Sequence, residues 1–218
     1  MRSKLYQWVV CVSLFVLISC YPKGAEFAED LDLVLTNYNQ DFDFEAKHTY
    51  AIPDSVIRIT GDVFNDPDGD HKPSFVDPAY ASAILAAINQ NMTANGWTRV
   101  SKASNPDVVL LPSAMTTTNI YYYYDWWYWS WWYPSGCYCY GWYYPGYYPP
   151  YYVSGYRSGT VLVTMIDRSA VVPSGGNVPV EWTAIFNGLA EGSTSSITAR
   201  IGTAINQAFS QSPYLKIN

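Results

Sequence analysis

The sequence contains few of the residues that usually carry out catalysis. Its 218 residues include 2 histidines, and only 14% of them are charged. Neither His48 nor His71 accompanies a nucleophile motif, a phosphate-binding loop or a zinc-protease motif. Asp167 ends a predicted strand and could act as a base, but an aspartate in that position far more commonly caps a turn. We therefore predict a protein that is not an enzyme and that holds no cofactor.

Basic residues are also scarce. The chain has 12 Lys and Arg residues against 18 Asp and Glu residues, which gives a net charge of −6. Residues 1–19 contain Arg2 and Lys4 but no acidic residue, so their removal would make the remainder more negative. Nucleic-acid binding depends on clustered positive charge, and so does electrostatic adhesion to anionic lipid. The composition argues against both functions.

A partial calcium-loop pattern occurs between residues 66 and 70. Asp66, Asp68 and Asp70 alternate as they do at the start of such a loop. However, Gly69 comes before the third aspartate instead of after it, and no glutamate closes the loop twelve residues on. We interpret this stretch as a solvated turn and predict no metal site.

The chain begins with a hydrophobic run that is too short to cross a membrane. Residues 9–18 are about ten mostly apolar residues, whereas a spanning helix needs about 20. The run ends in Leu17-Ile18-Ser19-Cys20, the pattern of a bacterial lipoprotein signal. We predict cleavage between Ser19 and Cys20, acylation of Cys20, and a lipid anchor in the cell envelope, at the outer membrane. The alternative is an ordinary secretory signal in which Cys20 is incidental.

Two further cysteines remain after this processing. Cys11 is removed with the leader, Cys20 takes up lipid, and Cys137 and Cys139 stay in a compartment where disulfides persist. In an extended strand these two residues are about 6.6 Å apart, at the edge of what a disulfide tolerates. A local disulfide, a bridge to another chain and free thiols all stay open. A metal site would need further ligands that the sequence does not supply nearby.

Hydrophobic periodicity predicts one α+β domain over residues 41–218, preceded by an acidic stalk at residues 20–40. Asp77, Pro78 and Gly96 delimit a first helix, and a second starts at Ser193 or Thr194 and stops at Pro213. Each helix has a single apolar stripe. Ala81, Ile84, Leu85, Ile88 and Met92 form the first, and Ile197, Ile201, Ile205 and Phe209 form the second. Strands are predicted around 41–52, 97–100, 108–111, 159–166 and 178–189. This pattern favours a two-layer sandwich: a mostly antiparallel sheet with both helices on one face.

An aromatic tract interrupts this pattern at residues 121–152. Of these 32 positions 20 are Tyr or Trp, so consecutive rings would have to occupy both faces of any strand. Each ring can bury about 150–250 Å², whereas a soluble monomer exposes apolar patches of only a few hundred Å². We therefore expect a ribbon or long hairpin inserted between two core strands, with something covering it.

Four covers are compatible with the tract. The rings could stack on one another and on the sheet, stack on sugars, lie at a membrane interface, or dock a partner protein. Stacking on nucleic acid would require basic residues, and the tract has none. The candidate stacking platforms are Trp126, Trp127, Trp129, Trp131 and Trp132.

Several motifs resemble the envelope lipoproteins grouped as domain-of-unknown-function family 4136. The resemblance covers residues 41–214 and implies a lipid-anchored α+β domain; the family supplies no catalytic residues. The matching motifs are Asp43-Phe44, Thr49-Tyr50-Ala51, Pro106-Asp107-Val108-Val109, residues 156–163, Ile166-Asp167, Trp182 and Pro213-Tyr214.

The leading hypothesis from the sequence is a non-enzymatic scaffold tethered to the membrane through its lipid. It would present the aromatic tract to a protein partner, or self-associate through residues 121–152. The alternative is a module that binds peptidoglycan or surface polysaccharide through the exposed Trp and Tyr side chains.

Overall fold

A computed structural model describes residues 33–59, 74–115, 159–170, 180–187 and 192–217. The chain forms one seven-stranded sheet and two long helices over these ranges. The strands are β1 (Leu33–Tyr38), β2 (Thr49–Ala51), β3 (Ile57–Ile59), β4 (Thr98–Arg99), β5 (Val108–Met115), β6 (Thr160–Asp167) and β7 (Val180–Asn187). The helices are α1 (Pro78–Ala94) and α2 (Thr194–Ser210), and short 3₁₀ turns follow at Lys102–Ser104, Arg168–Ala170 and Pro213–Leu215. The predicted α+β class is confirmed.

The sheet has an antiparallel half and a parallel half. Its strand order is β1-β7-β6-β5-β2-β4, and β3 also pairs with β5. The pairs β1–β7, β7–β6 and β6–β5 are antiparallel, whereas β2 and β3 run parallel to β5 and β4 runs parallel to β2. The three long strands β5, β6 and β7 form the centre, and β1 and β4 lie at the two edges.

Both helices begin and end where the sequence predicts. The carboxylate of Asp77 accepts a hydrogen bond from the Ala79 N–H (2.9 Å), and the hydroxyl of Ser193 accepts one from the Ser196 N–H (3.3 Å). These caps satisfy donors that have no partner inside the helix. Gly96 has φ +95° just after α1, and a Cβ there would lie 2.7 Å from the Ile217 carbonyl oxygen. Only glycine fits this position.

The core lies between the helices and one face of the sheet. The predicted stripes of both helices face it, although Leu85 is only half-buried and Ala87 is buried in its place. The other face of the central strands is buried as well: Leu111, Leu162 and Ile185 are all 4% exposed or less. Burial on both faces explains why β5 and β6 are almost continuously apolar instead of alternating.

Three predictions about the N-terminal half were wrong. Leu33–Tyr38, assigned to the acidic stalk, is the edge strand β1 and pairs with β7 along its whole length. Phe42 and Phe44, assigned to a strand, lie in the loop that follows, where their rings contact edge to face. Ile57–Ile59, which is not among the predicted strands, is β3. For β1 and β3, pairing with a distant strand decides the conformation, which a local pattern does not reveal.

Candidate functional site

The residues predicted to carry function lie outside the described ranges. These are the lipidation and cleavage residues Ser19 and Cys20, the tryptophans of residues 126–132, and the cysteines Cys137 and Cys139. The aspartate-rich stretch at residues 66–70 lies outside them too. The described residues do determine where the tract is attached, and they contain a polar cluster at the opposite end of the sheet.

The aromatic tract is inserted into a β-hairpin. Met115 at the end of β5 and Thr160 at the start of β6 are direct partners in the antiparallel ladder. The two described residues that flank the tract most closely in the ladder therefore lie side by side in adjacent strands. This geometry agrees with the predicted insertion between two core strands.

The N-terminal segment enters the sheet at this same end. Leu33 pairs with Asn187, and the Thr160 hydroxyl donates a hydrogen bond to Oδ1 of Asn187, with 2.6 Å between the two oxygens. Met115 pairs in turn with Ile59. One row across five strands thus joins the start of β1 to the attachment points of the tract. We call this row, formed by Leu33, Asn187, Thr160, Met115 and Ile59, the tract end of the sheet.

The opposite end carries a polar cluster, which we call the charged end. It comprises Lys47, Asp107, Asp167 and Glu181 with their hydrogen-bond partners. Asp107 Oδ2 accepts three bonds, from the His48 N–H (3.0 Å), the Thr49 N–H (2.8 Å) and the Thr49 hydroxyl (2.7 Å). Thr49 Oγ1 accepts in return from the Asp107 N–H at 2.9 Å. This reciprocal contact aligns the starts of β2 and β5.

Two more carboxylates of the charged end are also partnered. Lys47 Nζ lies 3.2 Å from Asp167 Oδ2, while Asp167 Oδ1 accepts from the N–H and hydroxyl of Ser169. Glu181 is buried and accepts from the Asn39 side-chain amide at 2.8 Å. The register between β6 and β7 shifts beside Met165 and Ile166, and such a bulge redirects neighbouring side chains.

The environments of two carboxyl groups shift their pKa values in opposite directions. Partial burial alone would raise the pKa of Asp107, but the bonds from His48 and Thr49, together with Lys47, outweigh it and lower that pKa. For Glu181, burial is the largest effect and the nearby Asp167 acts in the same direction. Together they raise its pKa despite the bond from Asn39 and the charge of Lys47.

The charged end has the chemistry of a structural clamp. Its carboxylates are all occupied by backbone or side-chain donors, so they hold the loop after β1 onto the sheet. Within the described ranges, no three His, Cys, Asp or Glu side chains are close enough to bind a metal ion. The motif residues Thr49, Asp107 and Asp167 thus meet here, although they are far apart in the sequence.

Two core tryptophans fasten the C-terminal segment. The Trp97 indole N–H donates to the Leu215 carbonyl oxygen (2.7 Å), and that of Trp182 donates to the Ser212 hydroxyl (2.9 Å). The Tyr214 hydroxyl also donates to Ser212, and its ring stacks on Tyr38 at 3.7 Å between centroids. These tryptophans are 2% exposed or less, so they serve the core.

The described helices contain no apolar stretch of the length that a membrane crossing requires.

The family comparison matches most of the chain. The family model described as "Domain of unknown function (DUF4136)" covers residues 34–214. A solved DUF4136 family protein from Bacteroides thetaiotaomicron VPI-5482 is 26% identical, with a TM-score of 0.58, over 85% of this chain and 97% of that chain. No curated protein matches the sequence.

Two structures of PelC dodecamers from Paraburkholderia phytofirmans are more distant. Both are 12% identical to this chain, with TM-scores of 0.37 and 0.36. The alignments cover 86% of this chain and 98% and 99% of the PelC chains.

Proposed function

We propose that this chain, which belongs to the DUF4136 family (a domain of unknown function), is a membrane-tethered envelope lipoprotein and acts as a non-enzymatic scaffold. Its α+β domain would present the aromatic tract at residues 121–152 to a protein partner. Cys20 would carry the lipid.

The observation that supports this proposal is the geometry of the tract end. Met115 and Thr160, which flank the tract in the sequence, are partners in the ladder, and β1 begins in the same row at Leu33. A chain from Cys20 to Leu33 reaches at most about 45 Å when fully extended. A lipid on Cys20 therefore keeps Leu33 within that distance of the membrane surface. The attachment points Thr160 and Met115 lie two and three strands from Leu33 in the same row, about 10 and 14 Å away.

The chemistry of the tract favours a protein partner. Tyr and Trp dominate the residues that contribute most to protein interfaces, because they bury large areas with little loss of side-chain entropy. The flanking residues Met115 and Thr160 are held in adjacent central strands, which fixes the two points between which such a surface is inserted. The occupied carboxylates of the charged end supply stability instead of a reactive group.

A site-specific crosslinking experiment tests the proposal. A photo-crosslinking residue replaces Trp129 in the tract or, as a matched control, exposed Ala103, which precedes β5 at the charged end. We expect one discrete crosslinked protein from intact envelopes with the first variant and none with the second. Equal crosslinking at both positions, or none at Trp129, would contradict a presented tract.

Sugar titration separates the glycan alternative from the protein partner. Peptidoglycan fragments and surface polysaccharides are added while Trp fluorescence is followed. The buried Trp97 and Trp182 provide a constant background because their N–H groups are occupied. We expect no shift; a saturable shift that disappears in a Trp126, Trp127 and Trp129 triple alanine variant would favour glycan binding instead.

Mass spectrometry of the mature N-terminus tests the tether. Diacylated or triacylated Cys20 is the expected N-terminal residue, and Cys20→Ser should release the protein from membranes. A free amine at another N-terminal residue would overturn the proposed lipid anchor. The crosslinking experiment would still test whether the tract binds a partner protein.

A further inference from the structure

Tyr38 and Tyr214 form a close ring stack that solvent can reach. Their ring centroids are 3.7 Å apart and their planes meet at 23°. Aromatic pairs more often keep their centroids about 4.5–7 Å apart. Phe44 follows that rule with both rings, at 6.3 Å from Tyr38 and 5.3 Å from Tyr214. Tyr38 is 38% exposed and Tyr214 is half-buried, so small solutes have access to the pair.

The stack brings the reactive carbons of two phenols together. An oxidised phenol reacts at the carbons on either side of the one that bears the hydroxyl, which are Cε1 and Cε2 in tyrosine. Carbon atoms in van der Waals contact are about 3.5–4.0 Å apart, so the short centroid distance leaves little room for a lateral offset. One Cε of Tyr38 therefore lies over a Cε of Tyr214, or one ring bond from it, whatever the rotation of the rings.

Separate parts of the fold hold the two rings in this arrangement. Tyr38 ends β1 and pairs with Trp182 of β7. Tyr214 lies in the 3₁₀ turn near the C-terminus, and its hydroxyl donates to Ser212 Oγ at 3.0 Å. The same Ser212 oxygen accepts the Trp182 indole N–H. Positioning of this kind converts an encounter between two reactants into a step within one molecule.

We propose that Tyr38 and Tyr214 are a modification site, at which a one-electron oxidant generated from hydrogen peroxide joins the two rings as an intramolecular dityrosine. Each phenol gives up one electron and one proton, and the two phenoxyl radicals form a Cε–Cε bond. The hydrogen on each joined carbon then moves through solvent to the phenol oxygen, which restores both aromatic rings. The peroxide takes up the two electrons and two protons and becomes two water molecules. This chemistry is independent of the proposed function.

The new bond links the edge strand to the C-terminal segment. Among the described strands β1 pairs with β7 alone, whereas the C-terminal segment is fastened by Trp97 and Trp182. As with a disulfide, a cross-link that closes a long loop restricts the unfolded chain and so stabilises the fold. Residues 38 and 214 enclose most of the chain, so oxidation at this site should raise its resistance to urea.

Peptide mapping after oxidation identifies the pair. The full chain is treated with hydrogen peroxide and a haem peroxidase, and the species of single-chain mass is isolated and digested with trypsin. Tyr38 and Tyr214 are each the only tyrosine in their tryptic peptides, residues 24–47 and 201–216, so the tyrosines of the tract do not interfere. We expect these peptides as one joined species, whose mass is their sum less two hydrogen atoms. The urea midpoint of the oxidised species should also rise.

Tyr38→Phe and Tyr214→Phe are the test variants, since each keeps a ring in the stack but removes the phenol. Both should lose the joined peptides and show a smaller rise in urea midpoint than the unchanged chain. Tyr80→Phe is the matched control, because the Tyr80 hydroxyl contacts that of Thr194, and it should keep both effects. Circular dichroism verifies that every variant is folded.

Three results would overturn the proposal. The first is the absence of the joined peptides from a chain whose other tyrosines have been oxidised. The second is their appearance only in species that contain two chains, which would mean coupling between molecules. The third is their persistence in Tyr38→Phe or Tyr214→Phe, which would place the new bond at other residues of the two peptides.

Discussion

The two ends of the sheet are built differently. At the charged end, Asp107, Asp167 and Glu181 each have polar partners within 3.2 Å. At the tract end, the row from Leu33 to Ile59 joins the N-terminal segment to a 32-residue aromatic stretch. One end thus fastens the loop after β1 onto the sheet, while the other carries the attachment points of the surface that we propose binds a partner.

Deleting residues 121–152 should separate the two ends most completely. Because Met115 and Thr160 are neighbours in the ladder, the remaining linkers can rejoin without opening the sheet. We expect the shortened chain to stay folded, as measured by circular dichroism. It should retain no partner protein in a chemical-crosslinking pull-down from envelopes, whereas the intact chain should retain one. If the shortened chain fails to fold, the tract belongs to the core and is not a presented surface.

Tryptophan substitutions should show the same division in stability. Trp182→Ala removes a buried ring and its bond to Ser212, and should cost about 3–5 kcal/mol of unfolding free energy. Trp129→Ala in the tract should change it by less than about 0.5 kcal/mol. Urea unfolding of both variants measures the change in unfolding free energy. A loss at Trp129 as large as that at Trp182 would mean that the tract is packed as part of the core.

Asp107→Asn should weaken the charged end by a smaller amount, about 1–3 kcal/mol, because three donors lose a charged acceptor. The pKa of Asp107 is lowered from its ordinary value of 3.8. Its ionised form therefore stabilises the fold above pH 3.8, and this contribution is lost as the pH falls through the lower folded-state pKa. Acid titration should show a smaller drop in stability below pH 3.8 for the variant; an identical acid profile would refute the clamp.

Glu181→Gln should have the smallest effect and the opposite sign. Burial raises the pKa of Glu181 above its ordinary value of 4.5, so the unfolded chain loses this proton more readily than the folded one. The free energy of unfolding therefore falls as the pH rises above 4.5. Gln keeps an oxygen for the Asn39 amide and removes the buried charge. We expect a gain below about 1 kcal/mol at pH 7 and a flatter profile above pH 4.5. A loss of stability at pH 7 would mean that the ionised group is favourable there.

Local patterns determined much of this protein from the sequence alone. The two helices are predictable because capping residues and apolar spacing act within one or two turns, as Asp77 and Ser193 illustrate. The central strands are predictable because burial on both faces requires continuous apolar runs. The position of the aromatic tract, and therefore its insertion into a hairpin, also follows from its place between two such runs.

Only the tertiary structure decided which segment forms the edge strand β1 and which residues meet at the two ends of the sheet. Leu33–Tyr38 becomes a strand because β7, nearly 150 residues later, supplies its hydrogen-bond partners. Asp107 meets Thr49, and the N-terminal segment meets the tract's attachment point, through strand order and register. These depend on long-range pairing, whose free energy is shared among distant segments and leaves little signal in any one of them.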